Sequence, residues 1–251
     1  MGMKLDFRRE GTPLVMKASL GLACQSHTLR CDAKQAEERF AAFRRYIASV
    51  DHFYLGDYLP GAFIKGEQPR YVESSQPTGV PVINTLAIQN LTIHVDACRY
   101  ISEEDFADID DEQKPRRGDV LLTVDGGTSI GKPALFLLEG DFAIDSHVVI
   151  LRPRGLDAKV LVHLLASPLG QLQFQQAESG ASGQTGVTED DIRRFRFPAL
   201  RREEMAGLVD ELDAALAKIK ADMQLLERRR EETWDTFSKA VFQRVKRRSR
   251  R

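Results

Sequence analysis

Gly118-Asp119-Val120-Leu121-Leu122-Thr123-Val124-Asp125-Gly126-Gly127-Thr128-Ser129-Ile130-Gly131-Lys132-Pro133 admits two incompatible readings, and the choice between them decides the fold. Gly126 to Lys132 has the G-x-x-x-x-G-K spacing of a nucleotide-binding P-loop, behind an apolar run that could be its strand. A P-loop also needs Ser or Thr after its Lys to ligand Mg²⁺, and a helix whose N-terminal amides cradle the phosphates. Here the next residue is Pro133, and Ala134-Leu135-Phe136-Leu137-Leu138 stops at Gly140-Asp141. That run is too short for a supporting helix and suits a strand. The stretch is therefore expected to join two strands, and an NTPase is the lesser reading.

Working outward, residues 51 to 200 show short apolar runs punctuated by Gly, Pro, Asn and Asp, the texture of a strand-rich domain with short helices. Val80 to Ile83, Leu91 to Val95, Val120 to Val124, Ala134 to Leu138 and His147 to Leu151 read as strands. Arg194 to Pro198 alternates like a closing strand. Ser102-x-x-Asp105 and Thr188-x-x-Asp191 are capping signals, a helix begins near Ala158, and Ser167-Pro168 is an N-cap followed by proline at the first helical position. Glu178 to Gly186 reads as a flexible polar loop.

On the N-terminal side, Ala36, Phe40, Phe43, Ile47 and Val50 recur at helical spacing, so residues 1–50 are expected to form a helical extension whose apolar face needs a partner. On the C-terminal side, Met205, Leu212, Ile219 and Leu226 repeat every seven residues, and Leu208, Leu216 and Met223 widen the stripe. Residues 201–243 are expected to be one long helix with a coiled-coil seam, followed by a basic disordered tail over 244–251. The fold class expected is thus α+β: a strand-rich domain with short helices, then a long coiled-coil helix.

The net charge of −1 conceals an asymmetry: residues 1–50 sum to +4, 51–200 to −9 and 201–251 to +4. Much of the acidity is one window, Glu103 to Glu112, which lacks the Gly and terminal Glu of a calcium loop and reads as a solvated helix end. No apolar run is long enough to span a bilayer and no secretory leader is apparent, so a bacterial or archaeal cytoplasmic location is expected. Three cysteines, Cys24, Cys31 and Cys98, do not make a disulfide framework. With His27 and His94 they match no standard zinc spacing, so no metal site is assigned. His147 beside Asp145 lacks a Ser or Cys nucleophile elbow and reads as a strand histidine.

The order of several short motifs resembles one half of a specificity (S) subunit of type I restriction-modification systems. The similar pieces are Leu55-Gly56-Asp57, Gly79-Val80-Pro81-Val82-Ile83, and Lys114-x-Arg116-Arg117-Gly118-Asp119-Val120-Leu121 followed by Ile130-Gly131-Lys132. They continue through Leu164-Leu165-x-Ser167-Pro168, Ser179 to Val187, and Asp191-Ile192-x-x-Phe195-x-Phe197-Pro198, and end in the long helix, covering about residues 53 to 240. Two departures stand out. Ala199-Leu200-Arg201-Arg202-Glu203-Glu204 replaces the family's second proline and Glu-Gln pair, and one domain and one helix stand where full-length members carry two of each.

The resemblance implies that residues 51–200 form a target recognition domain that binds one half of a split double-stranded DNA site. It further implies that 201–243 is a dimerisation and spacer helix, through Met205, Leu208, Leu212, Leu216, Ile219, Met223 and Leu226, which pairs with a second copy and docks a DNA methyltransferase subunit. A restriction or translocase subunit could join the complex. The chain itself would be non-catalytic and without cofactor, S-adenosylmethionine belonging to the methyltransferase. Base and phosphate contacts need donors on loops that can reach the grooves. The candidates are Thr128, Ser129 and Lys132 in the turn, Ser182, Gln184 and Thr185 in the polar loop, then Lys65, Arg70 and Tyr71, and Arg116 and Arg117 before the Gly118-Asp119 turn. A coiled-coil adaptor without a DNA role is the alternative, and the acidic balance of 51–200 favours it.

Overall fold

The computed structural model describes residues 35, 37–72, 79–89, 91–126, 129–179 and 185–248, with side chains to residue 245. It divides into two units, Met1–Ala199 and Leu200–Arg251. The first is built on a four-stranded sheet in which β2 (Ile64–Lys65), β10 (Val148–Leu151), β7 (Val120–Thr123) and β8 (Pro133–Leu135) lie side by side, all antiparallel. Every residue of β7 and β10 is buried, because both faces of the sheet are covered. Strand alternation sends Val120, Leu122, Val149 and Leu151 to one face, against Leu161 and Leu165 of α3 (Ala158–Ala166) and Phe174 of α4 (Pro168–Ala177). Leu121, Val148 and Ile150 go to the other face, against Ile83, Ile88, Phe136 and Ile144.

That second layer carries a three-stranded sheet, β6 (Arg99–Ile101), β3 (Val80–Ile83) and β9 (Ala143–Ile144), in which β3 and β9 run parallel. The hairpin of β4 (Ile88–Gln89) and β5 (Thr92–Ile93) completes it. The strand expected over Leu91 to Val95 is shorter than its composition suggests: Leu91 turns the chain at φ +63°, and a 3-10 turn takes over at Val95–Ala97. Similarly, β8 ends at Leu135, and Leu137 is exposed.

A two-stranded ribbon, β1 (His52–Tyr54) with β11 (Arg196–Pro198), ties the start of the domain to its end. Against it lies α1 (Glu38–Ala48), whose Phe40, Phe43 and Ile47 bury themselves with Leu172 of α4. The apolar face of this helix is thus completed inside the domain. The short helices are capped as their sequences require. Ser102 accepts the Asp105 amide at the start of α2 (Glu103–Ala107), Ser167 accepts the Gly170 amide with Pro168 opening α4, and Thr188 and Asp191 form a reciprocal capping box on α5 (Glu189–Arg193).

The second unit is α6 (Arg202–Arg248), 47 residues and so about 70 Å long. Leu208, Leu212, Leu216, Ile219, Met223 and Leu226 are all exposed, as are Trp234, Phe237 and Phe242 beyond the heptad stripe. The helix runs on through Arg244 to Arg248, so this part of the basic segment is helical where a disordered tail was expected. Arg is a good helix former and its positive charge suits a helix C-terminus. Among the described residues no helix is long and apolar enough to cross a membrane.

Candidate nucleic-acid interface

The stretch from Gly118 to Pro133 is a strand, a turn and a second strand. Lys132 is followed directly by β8, paired to β7 through Leu122 and Pro133, so no helix follows where a P-loop requires one. The turn is closed around Thr123, which is fully buried: its amide donates to the Lys132 carbonyl, its own carbonyl accepts from Gly131, and its hydroxyl accepts from the Lys132 amide at 3.0 Å while donating to the Ser129 carbonyl. The two glycines that mimic the P-loop are there for backbone reasons. Gly126 and Gly131 sit at φ +102° and +79°, and a Cβ on Gly131 would stand 2.7 Å from the Phe174 ring. Gln171 of α4 fixes the same point by donating to the Gly131 carbonyl at 2.7 Å.

The residues that enter the turn meet the two ends of the polar loop, Ser179 and Gly186, at one end of the main sheet. Asp125 and Ser179 both bridge to Gly186, and the Val187 amide donates to the Val124 carbonyl at 2.8 Å. Lys65 joins them from β2, its Nζ 3.2 Å from Asp125 Oδ2. A cleft of about 410 Å³ opens among these pieces, lined by Phe63, Lys65, Asp125, Ser179, Thr188 and Glu189. Segments sixty residues apart in sequence therefore form one surface. Asp125 is its hub, because the His147 ring also bonds to Asp125, through Nδ1. Asp145, the neighbour that sequence offered for His147, instead accepts the His147 amide at 2.9 Å. It is buried, and burial pushes its carboxyl above the usual range, helped by Asp125 and opposed by His147 and Lys65.

The expected contact residues fall into separate places. Lys132, half-buried, points its ammonium at the Ser129 hydroxyl 3.5 Å away; Thr185 is half-exposed beside the Gly186 bridge. Ser129 is 8% exposed, and its place is inside the turn rather than on a contact surface. Thr128, Ser182 and Gln184 lie outside the described residues, as do Cys24, His27 and Cys31. Tyr71 packs with Val80 and Ile101 on the second layer under the Arg99 guanidinium, 3.5 Å from its ring, with Arg70 exposed beside it; neither joins the cleft. Arg116 and Arg117 stand at the opposite end of β7 from the turn. Their guanidiniums donate to the Asp111 and Leu137 carbonyls, which gives both a structural task.

Sequence reading did not find the Arg152 guanidinium, which holds buried Asp119 with two bonds, Nε to Oδ1 at 2.9 Å and Nη2 to Oδ2 at 3.0 Å. Asp119 also accepts the Arg116 amide at 2.8 Å, so it fixes the entry to β7. Cys98 is buried and its thiol is pushed up to about 11, chiefly by desolvation and then by Asp96, so it stays protonated at neutral pH.

No family model matches the chain, and no curated protein matches it. Solved structures do. A chain from work on complex assembly and conformational transition of the type I restriction-modification system is 22% identical, with a TM-score of 0.45 over 68% of this chain and 39% of that one. The type I restriction-modification S subunit from M. genitalium is 15% identical, with a TM-score of 0.48 over 72% of this chain and 43% of its own. The HsdS subunit from Thermoanaerobacter tengcongensis is 19% identical, with a TM-score of 0.47 over 72% and 44%. The present chain spans less than half the length of each.

Proposed function

We propose that this chain is a sequence-specific DNA-recognition subunit, itself non-catalytic, that directs a partner DNA methyltransferase to its target. The observation that carries the reading is the meeting of Asp125 at the start of the turn, the bridged pair Ser179 and Gly186, and Lys65 at one end of the main sheet. Polar loops on a fixed scaffold are what reading base edges and phosphates requires. The motif order that resembles S subunits points the same way. S-adenosylmethionine would belong to the methyltransferase, and a restriction or translocase subunit would be a further partner.

The occupant of the exposed stripe on α6 is a second copy of the chain, in antiparallel orientation. Residues 202–226 carry six acidic and three basic side chains, and 227–248 carry four acidic and eight basic, so head-to-tail pairing sets each half against its opposite charge. A two-fold dimer would present two identical recognition domains to inverted half-sites.

The test is binding of the chain, with its methyltransferase, to DNA bearing the methylated site. Lys132→Ala and Gln184→Ala should each weaken binding without unfolding the domain, and unchanged affinity in both would refute the contact assignment. A strict monomer by light scattering, alone and in the complex, would remove the dimer. The second reading, a coiled-coil adaptor, is favoured by the −9 balance of residues 51–200. It predicts partner capture through α6 with no DNA binding at all.

A further inference from the structure

Half-buried arginines on the domain generally have a carboxylate. Arg39 pairs with Glu37, Arg152 with Asp119 and Arg193 with Glu189. Arg44 on α1 and Arg196 on β11 break this pattern. Both are half-buried and near each other, and among the described residues neither forms an ion pair. Burial pushes the Arg44 guanidinium below its usual range, and the charges of Arg196 and then Arg45 add to the effect. Glu38 acts the other way, but its carboxylate is already bonded to Arg45.

Like charges partly withdrawn from water, with no ion pair among the described residues, are costly to hold and favour a bound anion. The Arg196 position is held firmly. Gln173 of α4 clamps the Arg196 backbone from both sides, accepting its amide at 2.7 Å and donating to its carbonyl at 3.0 Å. The Arg196 guanidinium lies 6.0 Å from the Phe43 ring.

The surroundings indicate which anion. In the β1/β11 ribbon, Phe53 and Phe197 face the core, so the alternating positions His52, Tyr54, Arg196 and Pro198 share the outer face, with Tyr54 directly opposite Arg196. Tyr54 is 46% exposed and meets the His52 ring edge-on at 5.9 Å. These four positions carry an imidazole, a phenol, a guanidinium and a proline ring, a set richer in hydrogen-bonding groups than the apolar centre of a protein interface. Guanidinium forks match phosphate oxygens, and Tyr hydroxyls commonly contact the nucleic-acid backbone.

We propose that Arg44 and Arg196, flanked by Tyr54 and His52, form a second contact surface for the phosphates of duplex DNA, distinct from the turn-and-loop surface. The inference rests on the DNA-recognition reading and deepens it: an acidic domain gains backbone affinity from a concentrated basic patch away from the loops that read sequence.

The experiment measures binding of the full chain to a labelled duplex of mixed sequence across a salt series, for wild type and the double variant Arg44→Gln/Arg196→Gln. Loss of two phosphate contacts should make the log–log salt slope shallower by about 1.8, at about 0.9 per contact. Thermal melts check folding. If the double variant does not fold, Arg44→Gln alone is read, with an expected change of about 0.9. A wild type that binds with a slope the variants leave unchanged overturns this surface and leaves the DNA reading standing. A wild type that binds no duplex overturns both. If the variants lose binding to labelled polyglutamate while the DNA slope is unchanged, the patch serves an acidic protein, and the phosphate assignment falls.

Discussion

The main sheet and the long helix use the same aliphatic residues to opposite ends. Leu122 on β7 is 0% exposed, whereas Ile219 on α6 is 54% exposed and Trp234 64%. In the first unit the apolar residues of β7 and β10 alternate between two covering layers, so the domain completes its own core. In the second, a stripe of equal hydrophobicity finds nothing within its own unit to cover it. The difference teaches that one region carries its stability internally and the other leaves an apolar stripe exposed. The strongest way to break this contrast is Leu122→Ala. Deleting a fully buried leucine from the sheet should cost about 2–5 kcal/mol, a large share of the roughly 5–15 kcal/mol a domain possesses. Chemical denaturation would show the loss, and a change below about 1 kcal/mol would mean that the sheet is not the stability centre described here.

Next in size is Asp119→Ala. It removes two bonds from Arg152 and one from the Arg116 amide, leaving a guanidinium that is only partly solvated. The expected cost is about 2 kcal/mol, below that of a fully buried pair because Arg152 keeps some access to water. An Asp119→Ala protein as stable as wild type would show that the entry to β7 is fixed by packing alone.

Much of this fold was legible in sequence for a definite reason: local signals and tertiary packing agree. Val120 to Thr123 and Val148 to Leu151 are apolar and β-branched and bounded by Gly and Asp, while Ser167-Pro168 and Thr188-x-x-Asp191 are caps that work within one turn. What escaped was long-range. Nothing local shows that Lys65 meets Asp125, that Gln171 reaches Gly131, or that Arg152 claims Asp119. Ser129 illustrates the same limit. Its type and turn position suggested a contact residue, and its burial comes from Thr123 drawing the turn inward. That Arg44 and Arg196 form no ion pair among the described residues was equally unreadable, because it shows only once the segments around them are folded together.

A smaller effect, of opposite sign, is expected from Asp145→Asn. Burial raises the folded-state pKa of Asp145, so protonation favours the fold. That contribution is complete below the ordinary carboxylate value and is lost as pH rises through the raised one. Asparagine mimics the neutral acid at every pH and keeps an oxygen for the His147 amide. The variant should therefore melt higher than wild type at neutral pH, by less in free energy than the Asp119 change, and the gap should close toward pH 4. A gap that widened on acidification would mean that the ionised Asp145 is the form the fold prefers.

The smallest effect on the chain's own stability sharpens the contrast most. Leu212→Gln together with Ile219→Gln replaces two exposed side chains on α6, and glutamine is as good a helix former as isoleucine or better. Within one chain nothing is lost, so at concentrations where the protein is monomeric the melt should shift by less than about 0.5 kcal/mol. The association of two copies should disappear, because two apolar positions one heptad apart on each helix are removed from the seam. Light scattering across a concentration series reads the second effect and denaturation of dilute protein the first. If both move together, the stripe supports its own chain's fold, and the division between a self-covering domain and a helix with an uncovered stripe fails.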